Sequence, residues 1–224
     1  ETSITMSQPM ITLPGSPKVL IPQLGLGVYK SPPGEVTFNA CLWALQGRYR
    51  HIDTATLYHN EADVGRAVRE CGLKREEVFV TTKLWNDAQD KATEACLKSL
   101  ELMGLEYVDL YLMHSPMNKH RVKAWQDMCQ LKKMGKVRAI GVSNFGIAHL
   151  HEFKALGLEP PAVNQIEVHP FLQRRELVKY CEDNGIVVQA YSPMAKAQKL
   201  DHPVLLNIAS MVHRTPDDVM IRWS

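Results

Sequence analysis

The most constraining feature of this chain is a regular alternation of two patterns along almost its whole length. Short runs rich in β-branched and apolar residues alternate with longer stretches whose apolar residues recur at helical spacing. This alternation predicts a series of strand–helix units. The seven predicted strands are Leu24–Tyr29, Tyr49–Thr54, Val78–Lys83, Val108–His114, Val137–Ser143, Ala162–Val168 and Ile186–Tyr191.

The stretches between these strands have the pattern of amphipathic covering helices. In one of them Val64, Ala67, Val68 and Cys71 form a single apolar face, and Asn60 precedes it in the position of an N-cap. Glycines at predicted helix ends and prolines at predicted helix starts mark the same boundaries: Gly104, Gly135, Gly157, Gly185, Pro203 and Pro216. The helix boundaries that these residues indicate therefore agree with those that the periodicity predicts.

The composition of the strands indicates a parallel sheet. Near-continuous apolar runs such as Val108–His114 indicate burial on both faces, which a parallel sheet covered by helices requires. An open doubly wound sheet and a closed barrel both satisfy this, but the unbroken repeat and the lack of a Gly-x-Gly-x-x-Gly motif favour the barrel. Within Met10–Leu20, two β-like runs around Pro14–Pro17 predict a hairpin that could plug one end. We expect one barrel domain over residues 1–224.

Composition excludes several classes of protein. A hydrophobic fraction of 45% and a charged fraction of 22% are ordinary for a globular chain of 224 residues. A net charge of +2 without a long basic run argues against a nucleic-acid partner. The lack of a signal-peptide pattern or a long apolar run argues against a membrane partner, and five widely spaced cysteines are typical of reduced core residues. We therefore expect a cytoplasmic protein.

Polar residues follow the apolar part of strand after strand. In a βα barrel all the strands' carboxyl ends face one side, so residues far apart in the sequence converge on one mouth, where barrel active sites lie. The residues concerned are Asp53, Lys83, His114, Ser143, Asn144, Gln165 and Tyr191. They predict an active site at this mouth.

The residue types that meet there are suited to reducing a carbonyl group. A lysine ammonium near a tyrosine hydroxyl favours the phenolate, so Lys83 is expected to lower the pKa of Tyr58, which would supply the proton. Asp53 would keep Lys83 charged and oriented. His114 could donate a hydrogen bond to the carbonyl oxygen and stabilise the alkoxide that develops as hydride arrives. Hydride needs a cofactor, whose carboxamide Ser143, Asn144 and Gln165 could hold while Tyr191 stacks on its ring.

Each of these residues also has a structural interpretation. Asp53 and Lys83 could be a buried ion pair without catalysis, His114 a core histidine and Tyr58 an ordinary loop tyrosine. Ser143 and Asn144 could cap the following helix. Trp85 and Tyr29 could line a substrate pocket or cap the barrel core. The histidines do not have metal-ligand spacing, so no metal is expected.

Six ordered motifs resemble the aldo-keto reductase family, over essentially the whole stretch from Leu24 to Ser224. The run His51–Ala55 with Tyr58, Asn60 and Glu61 resembles the family's first signature. The second is resembled by Gly135–Arg138 followed by Val142–Phe145. The remaining motifs fall in family order: Thr82–Trp85, His114–Pro116, Asn164–Gln165 and Ala190–Ser192.

This resemblance implies an α/β parallel (β/α)8 TIM barrel that reduces aldehydes and ketones to alcohols with NADP(H), often as a monomer. The implied catalytic residues are Tyr58 as the general acid with Asp53, Lys83 and His114. The implied cofactor-binding residues are Ser143, Asn144, Gln165, Tyr191 and Ser192. Tyr29 and Trp85 would line the substrate pocket, and the specific substrate stays open.

One departure from the family pattern concerns the C-terminal end. The last residues, Thr215–Ser224, resemble the helix that precedes the eighth strand, so the barrel is expected to be truncated before strand 8 and to leave two unpaired edges. The family segment that contacts the cofactor's 2′-phosphate would then be missing, which leaves NADP against NAD open. Either the sequence omits residues of the protein, which we favour, or the chain is a shortened product. The alternative function is a non-catalytic or impaired isoform that acts through binding.

Overall fold

The computed structural model describes residues 8–15 and 18–224. An antiparallel hairpin precedes a seven-stranded parallel sheet, as the sequence pattern predicts. The hairpin strands are β1 (Met10–Leu13) and β2 (Val19–Pro22). The sheet strands are β3 (Leu26–Gly27), β4 (His51–Asp53), β5 (Phe79–Leu84), β6 (Val108–Met113), β7 (Val137–Ser143), β8 (Val163–Glu167) and β9 (Val187–Tyr191).

Helices cover the outside of this sheet and alternate with its strands. They are α1 (Glu35–Gln46), α2 (Glu61–Glu70), α3 (Ala92–Met103), α4 (Arg121–Lys133), α5 (Ile147–Ala155), α6 (Arg175–Asp183), α7 (Pro203–Met211) and α8 (Pro216–Trp223). The four predicted glycines at helix ends all have positive φ, and Pro203 and Pro216 are the first residues of their helices. None of the helices in the described residues combines the length and apolarity needed to cross a membrane.

The strands are paired in chain order, β3 to β9, and every pair is parallel. Among residues 8–15 and 18–224, β3 and β9 each have one neighbour and no eighth strand is present, so the wall of the barrel is left open there. β3 is shorter than the predicted Leu24–Tyr29. An edge strand has one partner, and the chain leaves the sheet at Lys30, whose φ of 64° is left-handed.

The core has two main parts besides a small cluster of Ala195, Leu205 and Met220 at α7 and α8. The larger lies between the sheet and the helices and contains Trp125, Phe153 and Met128. The smaller lies inside the barrel, where Leu13, Val19 and Ile21 of the hairpin pack on residues near the amino ends of the sheet strands, chiefly Phe79, Leu110, Ala139 and Ala162. Each buried aliphatic side chain of the hairpin contributes about 1.5–3 kcal/mol. The hairpin therefore plugs the end opposite the predicted mouth. Ser16 and Pro17 of its predicted turn lie outside the described residues.

Asn60 precedes α2 as predicted, but its side chain does not cap the helix. The carboxamide instead donates to the carbonyl oxygens of Val28 and Ser31 and accepts a hydrogen bond of 2.7 Å from the Thr54 hydroxyl. Asn60 is fully buried, so these bonds satisfy groups that water cannot reach. Its role is to tie the loop after β3 to the loop after β4.

Candidate active site

The structure brings the four predicted catalytic residues together at the carboxyl ends of the strands. Asp53 is the last residue of β4, Lys83 is next to last in β5, and His114 directly follows β6. Tyr58 ends a short 3₁₀ turn, Thr56–Tyr58, in the loop after β4. Parallel pairing of β4, β5 and β6 puts these ends at one mouth, as expected.

The Lys83 side chain is the centre of the site. Its Nζ donates to Asp53 Oδ1 at 2.5 Å, to the Thr54 carbonyl oxygen at 2.8 Å and to the Tyr58 hydroxyl oxygen at 3.3 Å. Lys83 is only 1% exposed, and an ammonium group has three hydrogens. Its three donors therefore match three acceptors, and the hydroxyl hydrogen of Tyr58 remains free to be donated elsewhere.

The prediction that the pKa of Tyr58 is lowered in this site is wrong, because other effects outweigh that of Lys83. Burial raises this pKa well above its usual range, and the negative charge of Asp53 and the neighbouring Tyr29 raise it further. Both burial and a nearby carboxylate disfavour the phenolate. The sequence indicated the lysine but gave neither the burial nor the closeness of Asp53. Tyr58 is consequently a protonated phenol in the resting site.

His114 is a neutral imidazole at neutral pH. Burial, and then the positive charge of Lys83, lower its pKa to about 4. Its Nδ1 is buried and has no hydrogen-bond partner within residues 8–15 and 18–224. The ring meets Tyr58 edge-on at 5.8 Å between centroids and meets Trp85 edge-on at 4.9 Å. A neutral ring in this position can offer an N–H beside the Tyr58 hydroxyl.

The predicted cofactor-binding residues lie on the ends of β7, β8 and β9 and bind one another. The Ser143 hydroxyl donates to the main-chain carbonyl oxygen of Gln165 at 2.9 Å. Asn144, with a φ of 61°, donates to the His114 carbonyl oxygen and accepts from the Tyr191 hydroxyl at 2.8 Å. These contacts rule out the alternative that Ser143 and Asn144 cap α5, whose N-cap is Gly146. Ser192 follows β9 with a φ of 51°.

Gln165 links this group to the catalytic residues, a contact the sequence did not indicate. Its Nε2 donates to Asp53 Oδ2 at 2.7 Å, while the other carboxylate oxygen accepts from Lys83. Because a carboxylate only accepts, the amide nitrogen must face Asp53, and the carbonyl Oε1 of Gln165 is turned away from it. Residues from β4, β5 and β8 thus form one bonded unit.

Tyr29 and Trp85 both flank the catalytic residues. The Tyr29 ring lies 5.0 Å from the Tyr58 ring, and 60% of the residue is exposed. Trp85 is half-buried against His114. Neither residue belongs to the barrel core, so of the two interpretations the structure favours the one at the mouth. Their role in binding substrate stays a prediction.

Glu61 is the residue of this region whose role sequence reasoning missed. It is 3% exposed and accepts a hydrogen bond of 2.6 Å from the Thr82 hydroxyl, next to Lys83 in the chain. An acidic residue in the first turn of a helix ordinarily indicates an exposed residue that favours the helix dipole. Its place in the first signature was the only signal. In residues 8–15 and 18–224 no three histidine, cysteine or acidic side chains are grouped as metal ligands.

The fold and this site define an oxidoreductase of the parallel-barrel class with a lysine-bound tyrosine. The family model described as the aldo/keto reductase family matches residues 25–205, and the chain belongs to that family.

Two curated relatives are similar over most of their length. The chain is 47% identical over 211 residues to the 9,11-endoperoxide prostaglandin H2 reductase of Trypanosoma cruzi (strain CL Brener), covering 92% of this chain and 74% of that protein. It is 42% identical over 208 residues to methylglyoxal reductase DkgA of Escherichia coli (strain K12), covering 91% and 75%. Among solved structures, the Bombyx mori aldo-keto reductase in complex with NADP has a TM-score of 0.87 and 34% identity, covering 97% of this chain and 80% of that one.

Proposed function

We propose that this chain reduces small aldehydes and ketones to alcohols with NADPH, and that Tyr58 supplies the proton. The observation that carries the proposal is the set of three hydrogen bonds from Lys83, which fixes the Tyr58 oxygen beside His114. Family membership and the methylglyoxal reductase among the relatives support carbonyl reduction as the chemistry. The methylglyoxal reductase supports a small carbonyl compound as substrate.

Tyr58 is suited to donate a proton. Its oxygen accepts from Lys83, which leaves the O–H hydrogen for the oxygen of a bound carbonyl group. The raised pKa keeps the phenol protonated until substrate is present. After transfer, the ammonium group at 3.3 Å stabilises the phenolate that remains. The positive charge of Lys83 therefore matters more for the product of the step than for the resting state.

His114 would orient the substrate. As a neutral ring it can donate one hydrogen bond to the carbonyl oxygen without placing a second positive charge next to Lys83. Its edge-on position beside Tyr58 lets both groups reach the same oxygen. Hydrogen-bond donors that are fixed before reaction stabilise a developing alkoxide at little cost of reorganisation.

The residues on β7, β8 and β9 fit the carboxamide end of NADP(H), which when bound supplies the hydride. Gln165, held by Asp53, presents Oε1 as an acceptor for a carboxamide N–H. Ser143 and Asn144 add a hydroxyl and an amide, and Tyr191 and Ser192 lie beside them at the end of β9. The relative solved with NADP and the curated glycerol 2-dehydrogenase (NADP(+)) of Saccharomyces cerevisiae (strain ATCC 204508 / S288c) support NADP(H) over NAD. A cytoplasmic location and a monomeric state stay predictions.

A steady-state assay tests this function. The purified chain is mixed with NADPH and methylglyoxal or other small aldehydes, and NADPH oxidation is followed. Tyr58→Phe should lower kcat by about 10²–10⁴-fold, the usual contribution of a positioned acid, with the Kd for NADPH unchanged. Tyr107→Phe, a hydroxyl removed from the opposite end of the barrel, is the matched control. NADPH binding can be followed by quenching of tryptophan fluorescence, since Trp85 lies against His114.

The outcomes separate the two functions. Undiminished turnover by Tyr58→Phe would show that another group supplies the proton. Saturable NADPH binding by a folded chain without turnover of any carbonyl compound would favour the alternative of a protein that acts through binding. Preference for NADH would refute the cofactor assignment alone.

A further inference from the structure

The loop that carries Tyr58 is joined to the strand that carries Lys83 by a hydrogen bond. The Thr56 hydroxyl, at the start of the Tyr58 turn, donates to the main-chain carbonyl oxygen of Lys83 at 3.0 Å. The Thr56 oxygen lies 3.4 Å from Oγ of Ser99 on α3, a residue that is 2% exposed. The start of the Tyr58 turn is therefore held against β5 and α3.

Glu61 makes a second link between the Tyr58 segment and the strand that carries Lys83. Its Oε1 accepts from the Thr82 hydroxyl at 2.6 Å, and Thr82, fully buried, directly precedes Lys83. Glu61 lies three residues after Tyr58 in the chain, and its side chain is bonded to the strand that carries Lys83. This strand is therefore hydrogen-bonded to the Tyr58 segment at two places, the Thr82 side chain and the Lys83 carbonyl oxygen.

The packing of α2 makes this contact close. A Cβ at Gly65 would overlap the backbone of Met103 at the end of α3. Only a glycine lets the two helices approach in this way, and the approach brings Glu61 on α2 next to Ser99 on α3. The carboxyl group is removed from water, which raises its pKa, while the hydroxyls of Thr82 and Ser99 act in the opposite direction.

We infer that Glu61 is a positioning residue: its bond to Thr82 holds the segment that carries Tyr58 against the strand that carries Lys83, and so fixes the Tyr58 hydroxyl against the Lys83 ammonium. It does not touch the reacting atoms. The distance between Tyr58 and Lys83, 3.3 Å, is the longest of the three lysine bonds and depends on the relative placement of a loop and a strand. A small displacement of a catalytic group can cost up to about 10²-fold in rate. This inference rests on the proposed function.

Variants at Glu61 separate positioning from simple loss of stability. Glu61→Ala leaves the Thr82 hydroxyl without its acceptor, and should lower kcat about tenfold or more with an unchanged Kd for NADPH. Glu61→Gln keeps an oxygen that can accept from the Thr82 hydroxyl, and should restore most of kcat. Val64→Ala, which removes buried volume from the same helix, is the matched control and should lower Tm but not kcat.

Amide hydrogen exchange gives a readout that does not need activity. The Tyr58 N–H donates to the Ala55 carbonyl oxygen within the turn. It should exchange faster in Glu61→Ala than in Val64→Ala or the unchanged chain. If Glu61→Ala does not fold, Thr82→Val, which removes the hydroxyl that donates to Glu61, replaces it in both measurements, with Thr82→Ser as its conservative partner.

The results distinguish the two ideas. A fall in kcat restored by Glu61→Gln, or faster exchange of the Tyr58 turn alone, supports the positioning role. If the unchanged chain reduces no carbonyl compound but the turn loosens in Glu61→Ala, the proposed function fails and the positioning survives. The inference is overturned if Glu61→Ala or Thr82→Val keeps both kcat and the exchange rate, or if Val64→Ala lowers kcat equally.

Discussion

Acidification from pH 7 to pH 4 is expected to destabilise this fold through His51. This histidine lies inside the barrel on β4, with Nε2 2.9 Å from the Thr81 hydroxyl and its ring edge-on to Phe79. Burial lowers its pKa from 6.5 to about 4, and the negative charges of Asp53 and Asp109 only partly oppose this. The folded chain therefore keeps a neutral imidazole at pH values where an unfolded chain would be protonated.

The sign and the size follow from proton linkage. Between pH 6.5 and pH 4 the unfolded state binds more protons than the folded state, so the free energy of unfolding decreases as the pH falls. With a folded pKa of about 4, the loss from His51 is about 2 kcal/mol at pH 5 and about 3 kcal/mol at pH 4. Below pH 4 the loss levels off, because the folded state then binds its proton as well.

Urea unfolding at several pH values measures the contribution of His51 to the pH dependence of stability. His51→Gln should be less stable than the unchanged chain at pH 7 but should lose about 3 kcal/mol less on going to pH 4. His151→Gln, on the exposed side of α5, controls for the removal of one histidine. The reasoning is refuted if His51→Gln and the unchanged chain lose stability in parallel over this range.

Three further predictions concern strain and charge. Ala197 has a left-handed φ of 61°, so Ala197→Gly should raise the free energy of unfolding by about 0.5–1 kcal/mol. Ala155→Gly, at the exposed last residue of α5, should lower it by at most about 1 kcal/mol; urea unfolding curves of both variants test this. Gln165→Glu places a carboxylate 2.7 Å from that of Asp53, so its stability deficit against Gln165→Met should grow as the pH rises from 4 to 8. Asp109→Asn removes the charge between two guanidinium groups and should cost about 3 kcal/mol, measured as a fall in the urea midpoint.

The strands and the mouth of the barrel were predictable because both depend on local pattern. Apolar runs such as Val108–His114 fix a buried strand, and parallel connection then brings Asp53, Lys83 and His114 to one end whatever lies between them. The helix ends could also be predicted, since a glycine such as Gly104 adopts the left-handed conformation at a helix end at low cost.

What the sequence could not supply was three-dimensional environment. The pKa of Tyr58 depends on burial and on the distance to Asp53, neither of which spacing reveals. Asn60 occupies an N-cap position, yet the loops beside it give its amide stronger competing partners. Glu61 looks like a solvated acid because its burial arises only when α2 packs on α3.

All three N–H groups of the Lys83 ammonium donate hydrogen bonds, and this has a consequence for chemical labelling. In acylation and alkylation the lone pair of an amine attacks the reagent, which must be able to approach it. Lys83 does not allow this approach, because its three N–H groups are hydrogen-bonded and almost none of its surface is accessible. When the lysines of the folded chain are labelled with such a reagent, Lys83 should remain unmodified. Labelling of Lys83 should begin only when the mouth of the barrel opens.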